Sequence, residues 1–139
     1  MKAPSATRPF RPLARGDIVL VQFPFTDLSS SQRRPAVLLW THPAFTDFAL
    51  AFISSQRLGR TEVGEVSISP RHPEFRLTGL ATASKIRATR LVTLSRELLA
   101  RWIGRLGPLL SAELDRALIA ALGINAEPYR EAGRTDAPG

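Results

Sequence analysis

The feature that most constrains this chain is a series of short apolar runs separated by glycine, proline and polar residues. These runs, rich in Val, Ile, Leu and Phe, lie at 18–23, 36–41, 48–54, 66–69, 82–87 and 91–94. Runs of this length bounded by turn residues are typical of β-strands at regular spacing. The sequence therefore predicts a mainly β fold, a small antiparallel barrel or sandwich.

The last part of the chain has a different periodicity. Its apolar residues fall at i, i+3, i+4, i+7 and i+8, namely Leu114, Ala117, Leu118, Ala121 and Leu122. This spacing predicts an amphipathic helix over 112–122. Ser111 is the expected N-cap and Gly123 the expected C-cap. The fold class is thus mainly β with a C-terminal α-helix.

At 139 residues the chain is expected to form one domain. We predict a flexible arm at 1–14, where prolines occupy positions 4, 9 and 12, a folded domain at 15–124 and a disordered tail at 125–139. There is no secretory h-region and no apolar run of the roughly 18 residues that a membrane span requires. With no cysteine and only two histidines, we expect a cytoplasmic protein without a metal, a cofactor or a membrane partner.

The charge is strongly basic and unevenly distributed. The chain carries 19 Lys+Arg against 12 Asp+Glu, a net charge of +7, and nearly all of the cations are arginine. Positions 1–105 hold sixteen basic and seven acidic residues, whereas 106–139 hold three and five. A basic body rich in planar guanidinium groups favours a polyanionic partner, although a solvated arginine-rich surface gives the same composition.

The segment SSSQRRP at 29–35 is the densest polar feature and leads into the second predicted strand. Pro35 restricts Arg34 to an extended backbone, which would hold its guanidinium near a fixed position. Such an arginine can bind a phosphodiester and stabilise the charge that grows on its oxygens during cleavage. The alternative is a turn whose arginines face water.

The sequence resembles the MazF/PemK family of toxin–antitoxin ribonucleases, and its Phe23–Asp27 segment resembles a PemK-like subgroup. The matching segments are RGDIVLV at 15–21, RPAVLL at 34–39, ISSQ at 53–56, SKIR at 84–87 and LVTL at 91–94. The resemblance covers positions 15–124. It implies a small SH3-like β-barrel that forms a homodimer, is neutralised by an acidic antitoxin and binds DNA with that antitoxin.

The resemblance also implies a reaction and the residues that carry it. Family members cleave single-stranded RNA without a metal, leaving a 2′,3′-cyclic phosphate and a 5′-hydroxyl, so that the 2′-hydroxyl of the RNA is the nucleophile. Arg34 and Ser54 correspond to the family's catalytic arginine and strand-end hydroxyl. The expected RNA-binding residues are Ser31, Gln32, Arg33, Gln56, Lys85 and Arg87.

Two departures from the family pattern keep other functions open. The first loop has Ser29-Ser30-Ser31 where many members have Gly-Ser-Glu, and the third-strand hydroxyl is Ser rather than Thr. One alternative is therefore a catalytically degenerate module that binds RNA or antitoxin without cutting. A gyrase poison of the CcdB type shares the barrel, but that group uses an aromatic residue near a short C-terminus, and this chain ends in DAPG.

Overall fold

The computed structural model describes residues 12–22, 33–41, 44 and 46–125. The six strands are β1 (Asp17–Gln22), β2 (Arg33–Thr41), β3 (Asp47–Ser54), β4 (Glu65–Ile68), β5 (Ser84–Ser95) and β6 (Leu99–Arg105). The helices are α1 (Phe75–Thr78), a 3₁₀ turn (Arg96–Leu98) and α2 (Pro108–Leu122). The strands form one antiparallel sheet in the order β4-β5-β3-β2-β1-β6. The predicted class is confirmed, with a sheet that is not strictly closed.

The second strand begins earlier than the sequence predicts. β2 starts at Arg33 rather than at position 36, and Arg33, Arg34 and Pro35 all pair with β1. The pairing of β2 with β3 starts only at Ala36, opposite Phe52. Proline has no N–H for a ladder, so it is tolerated where a strand has a hydrogen-bonded neighbour on one side only. The predicted loop therefore ends before Arg33.

The two predicted segments 82–87 and 91–94 are a single strand, β5. Its register against β3 shifts between Ala51, which pairs with Leu91, and Phe52, which pairs with Arg87. The intervening residues 88–90 form a bulge, and the N–H of Ala88 donates to the carbonyl of Gly64. Polar Thr89 and Arg90 in this bulge interrupt the apolar pattern, and the sequence analysis wrongly divided the strand there.

Two hydrophobic cores lie on the two faces of the sheet. The helix-side core joins Ile18, Val37, Ile53 and Ile86 to the inner face of α2, where Leu110 and Leu114 are fully buried. The opposite core is formed by Val19, Val21, Ala36, Leu38, Phe48, Leu50 and Leu94, with Phe52 packed against it. Adjacent residues along each strand alternate between the cores, as the pleat requires. This alternation fixes the face on which each polar residue at a strand end lies.

The C-terminal helix starts one turn before the predicted N-cap. Its N-cap is Gly107, Pro108 occupies the first turn, and Ser111 lies inside the helix. The first N–H groups are satisfied instead by a distant carboxylate: Leu109 and Leu110 each donate to Glu74 at 2.8 Å. A Cβ on residue 107 would collide with that carboxyl group, so a Ser or Asp at the cap would displace the Glu74 side chain. The predicted C-cap at Gly123 is confirmed, with φ +69°.

Candidate functional site

Polar residues from four strands lie together on one face, beyond the apolar residues of the opposite core. Arg34 lies two residues before Ala36 on β2, and Ser54 lies two residues after Phe52 on β3. Because residues two apart on a strand share a face, both lie on the face of the opposite core. Lys85 pairs directly with Ser54 in the β3–β5 ladder. Arg87 pairs with Phe52 and also with Glu65 of β4. The fold thus brings together four of the residues predicted from sequence and adds Glu65 to them, as a polar patch of Arg34, Ser54, Lys85, Arg87 and Glu65.

Arg34 and Ser54 lie on the same face of the sheet, just beyond the end of the β2–β3 ladder. The ladder pairs Leu38 with Leu50 and Ala36 with Phe52. Arg34 and Ser54 each lie two residues beyond the last of these pairs, on the face that Ala36 and Phe52 share. Arg34 is exposed and Ser54 is half-buried. A guanidinium and a hydroxyl can therefore approach one phosphate from two strands.

The Ser54 hydroxyl also organises the turn that follows β3. Its Oγ accepts a hydrogen bond from the backbone N–H of Gln56 at 3.0 Å. This is the local backbone contact that hydroxyls at strand ends commonly make. The hydroxyl proton remains available for donation to a ligand, because Oγ acts as an acceptor in this bond. Gln56 itself is exposed at the start of the loop between β3 and β4.

Lys85 occupies a different place from the one that the family resemblance implies. Its ammonium donates to the carbonyl of Arg57 at 2.9 Å, the carbonyl of Arg60 at 3.2 Å and Glu65 Oε1 at 2.9 Å. These three acceptors use the three N–H groups of a lysine. The Lys85 side chain is only 5% exposed. In this arrangement the buried Lys85 ammonium fixes the backbone of the β3–β4 loop rather than presenting its charge to a phosphate.

Glu65 is the anion that balances this group of cations. Its side chain is 2% exposed, and Oε2 lies 3.3 Å from Nε of Arg87. Oε1 accepts from the N–H of Glu62 at 2.9 Å as well as from Lys85. Burial alone would raise the pKa of Glu65, but the Glu62 N–H, the Lys85 ammonium and the charge of Arg87 together lower the pKa below its ordinary value. Glu65 is therefore a stable carboxylate at neutral pH.

The other predicted binding residues are not all part of this face. Arg33 is exposed and adjacent in sequence to Arg34, so the alternation of β2 sets it on the other face of the sheet. Arg87 keeps 31% of its side chain exposed beside Glu65. Ser31 and Gln32 lie outside the described residues. The structure thus separates two arginines that the sequence placed in one group.

The sequence analysis missed Glu65 and the loop arginines Arg57 and Arg60. A cavity of about 500 Å³ lies beside the patch and is lined by Arg57, Arg60, Lys85, Arg87, Glu62 and Glu65. Glu65 precedes a short alternating run, and its pairing with Lys85, twenty residues later, depends on the strand register. The nearest signal in the sequence was the charged composition of positions 57–65, which also fits an ordinary solvated loop.

The described part of the chain contains neither a metal-ligand cluster nor a membrane-spanning helix. Residues 12–22, 33–41, 44 and 46–125 contain no group of three His, Cys, Asp or Glu side chains arranged to hold a metal ion. Over the same residues, no helix combines the length and apolarity that crossing a membrane would demand.

Comparison with known proteins gives one family and a set of similar folds. A family model described as "PemK-like, MazF-like toxin of type II toxin-antitoxin system" matches residues 14–122. No individually curated protein matches the sequence. Several solved structures do match the fold.

Three of these structures illustrate the range of the match. A mycobacterial endoribonuclease in complex with its cognate antitoxin aligns over 83% of this chain and 98% of its own, with a TM-score of 0.63 and 20% identity. The Mycobacterium tuberculosis toxin MazF-mt6 aligns over 78% of this chain and 98% of its own, with a TM-score of 0.63 and 21% identity. The MazE-MazF structure from Deinococcus radiodurans aligns over 80% of this chain and 96% of its own, with a TM-score of 0.61 and 21% identity. At this identity the structures establish a shared fold.

Proposed function

The chain belongs to the family of PemK-like, MazF-like toxins of type II toxin–antitoxin systems, and we propose that it is a metal-independent endoribonuclease acting on single-stranded RNA. The observation that carries the proposal is that Arg34 and Ser54 lie on one face of the sheet, each two residues beyond the last pair of β2 with β3. Two of the similar structures are themselves an endoribonuclease with its antitoxin and a MazF toxin, which supports the same activity here.

In the proposed reaction the RNA supplies its own nucleophile. The 2′-oxygen attacks the adjacent phosphorus, the bond from phosphorus to the 5′-oxygen breaks, the 2′-hydroxyl loses its proton and the leaving 5′-oxygen gains one. The products are a 2′,3′-cyclic phosphate and a 5′-hydroxyl. The protein's task is to orient the phosphate and stabilise charge on its nonbridging oxygens.

Arg34 and Ser54 divide that task. The Arg34 guanidinium binds the nonbridging oxygens through its planar fork and stabilises the pentavalent phosphorane. A guanidinium stays protonated in proteins, which makes arginine a poor general base, so its role is electrostatic. Ser54 donates its hydroxyl proton to a nonbridging oxygen while its oxygen holds the turn at Gln56. Gln56 and Arg87 lie beside this pair and bind the flanking nucleotides.

We also propose a homodimer that is neutralised by an acidic antitoxin. The basic body of the chain favours an extended acidic segment lying across the same face as RNA, and two similar structures contain an antitoxin. Inhibition would then compete with RNA and weaken with salt. Light scattering tests the dimer: a monomeric mass contradicts it. The partner to test for inhibition is any small acidic protein encoded beside this chain.

A chelator and a modified substrate test the chemistry. We expect cleavage of end-labelled single-stranded RNA to persist in excess EDTA. A single 2′-deoxy substitution at the cut nucleotide should block cleavage there while leaving binding largely intact. Product ends should be a cyclic phosphate and a 5′-hydroxyl. Loss of cleavage in EDTA, or cutting at the 2′-deoxy site, contradicts the mechanism. RNA binding without cleavage of any RNA instead favours the catalytically degenerate binding module.

A further inference from the structure

The cavity beside the polar patch has the charge of an anion-binding site. Its lining carries four cations, Arg57, Arg60, Lys85 and Arg87, and two carboxylates, Glu62 and Glu65. Glu65 lies against Lys85 and Arg87, and Glu62 lies 3.0 Å from Nε of Arg60. Two positive charges therefore remain uncompensated by the lining itself. A volume of about 500 Å³ falls in the range of small-molecule pockets.

Arg57 is a cation of this cavity that no side chain in the described part of the chain neutralises. Its guanidinium has no hydrogen bond or ion pair with any of the residues that the structure describes, and it is exposed. The backbone of Arg57 has a φ of +53°. For a residue other than glycine this left-handed conformation is unfavourable and persists only where the surroundings hold it. The loop is therefore held in an unfavourable conformation that projects an unpaired arginine.

Lys85 is the group that holds the loop in this shape. Its ammonium binds the carbonyls of both Arg57 and Arg60 from beneath. Glu65 fixes the ammonium in turn, and it also accepts from the N–H of Glu62 at the far end of the loop. One buried ion pair thus anchors the backbone of each charged residue in the loop.

The loop is also continuous with the proposed catalytic pair. Arg57 follows Ser54 by three residues, and the Ser54 hydroxyl accepts from Gln56 within the same turn. Lys85 pairs with Ser54 across β3 and β5. The cavity and the proposed catalytic pair are therefore joined by one short turn and one cross-strand pair.

We propose that this cavity is a phosphate subsite for single-stranded RNA, in which Arg57 binds the phosphate next to the scissile one and Lys85 is a positioning residue that shapes the loop. The inference rests on the proposed ribonuclease function and deepens it. It gives Lys85 a role through the backbone of the loop and assigns the contact with the flanking phosphate to Arg57.

Binding and kinetics of Arg57→Ala test the subsite. The probe is a fluorescein-labelled 2′-O-methyl single-stranded RNA pool, which keeps its phosphates but cannot be cleaved. We expect Arg57→Ala to weaken binding several-fold and to reduce the slope of log K against log salt by about 0.7, the loss of one phosphate contact on a single strand. With cleavable RNA, KM should rise while kcat stays near wild type. The matched control is Arg101→Ala, which removes an exposed arginine of β6, at the other edge of the sheet.

A double-mutant cycle tests the role of Lys85. If Lys85 acts through Arg57, Lys85→Met should raise KM as Arg57→Ala does, and the double variant should lose much less than the sum of the two. Glu65→Gln with Lys85→Met removes both buried charges together and serves if the single variant unfolds. Additive effects on KM, or a fall in kcat alone, overturn the positioning role.

The two proposals fail in different ways. A wild-type protein that cleaves RNA, with Arg57→Ala equal to Arg101→Ala in KM and in salt slope, overturns the subsite and leaves the ribonuclease intact. A wild-type protein that neither binds the probe nor cleaves RNA overturns the ribonuclease and the subsite together.

Discussion

The ammonium of Lys85 and the carboxylate of Glu65 form an ion pair at 2.9 Å with almost no exposure to solvent, 5% and 2% for the two side chains. The pair joins β5 to the first residue of β4 and extends to two carbonyls of the β3–β4 loop. Desolvating two charges is costly, and only further hydrogen bonds make such a pair tolerable. Here those bonds fix the loop beside Ser54, so the pair links the stability of the fold to the geometry of the site.

The first prediction concerns the acid stability that Glu65 confers. Because its pKa is lower in the folded protein than the ordinary value of 4.5, its charge stabilises the fold above that pH. This contribution is lost as the pH falls through the folded pKa. We expect the free energy of unfolding of wild type to exceed that of Glu65→Gln at pH 7, and the difference to shrink towards pH 3. Urea unfolding at a series of pH values measures it.

Glu97→Gln is the control for that series, since Glu97 is exposed in the 3₁₀ turn. It should leave the unfolding free energy within about 0.5 kcal/mol of wild type at pH 7. A gap between wild type and Glu65→Gln that stays constant from pH 7 to pH 3 would show that the carboxylate's charge contributes nothing.

The second prediction separates the two adjacent arginines of β2. We expect Arg34→Ala to reduce the rate of RNA cleavage by about 10²–10³-fold, the usual effect of losing a donor that stabilises developing charge. Arg34→Lys should restore little, because the planar fork is lost. Arg33→Ala should have a far smaller effect, because Arg33 lies on the other face of the sheet. Single-turnover cleavage of labelled RNA measures all three.

Both arginines are exposed, so the midpoint of thermal unfolding should be close to that of wild type in each variant. This measurement is the control for folding. Near-normal cleavage by Arg34→Ala, or equal losses in the two alanine variants, would contradict the assignment of Arg34.

The third prediction distinguishes the two roles of the Ser54 hydroxyl. Ser54→Ala removes both the acceptor for the Gln56 N–H and the proposed donor to the phosphate. We expect the rate of RNA cleavage to fall by less than in Arg34→Ala. The free energy of unfolding should fall by about 1 kcal/mol because one hydrogen bond is lost. Ser54→Thr keeps the hydroxyl and should restore both. A variant that loses stability but cleaves RNA at the wild-type rate would leave the hydroxyl with its structural role alone.

The fourth prediction tests which residue caps α2. Glu74→Ala leaves the N–H groups of Leu109 and Leu110 without their carboxylate, and we expect a loss of about 1–3 kcal/mol in unfolding free energy. Ser111→Ala is the matched control, because Ser111 lies inside the helix and alanine has a higher helix propensity. It should change stability by less than about 0.5 kcal/mol. The opposite ranking in chemical denaturation would restore the cap predicted from sequence.

Local pattern was sufficient to predict several elements of this fold. The apolar runs placed strands at β1, β3 and β4, the 3.6-residue period placed the C-terminal helix, and Gly123 marked its end. These signals are local because the burial of every second residue of a strand, or of helically spaced residues, determines where apolar residues occur along the chain. The resemblance added Arg34 and Ser54, and the strand alternation places them on one face of the sheet.

Tertiary structure alone decided the partners of the charged residues. No local rule pairs Lys85 with Glu65, or Glu74 with the start of α2, since each contact joins residues 20 or more positions apart. Whether a lysine presents its charge to solvent or uses it to hold a loop depends on which acceptors the register places around it. The sequence by itself determined which residues could bind an anion. Only the strand pairing, which sets distance and burial, decided that Lys85 faces inward and Arg57 outward.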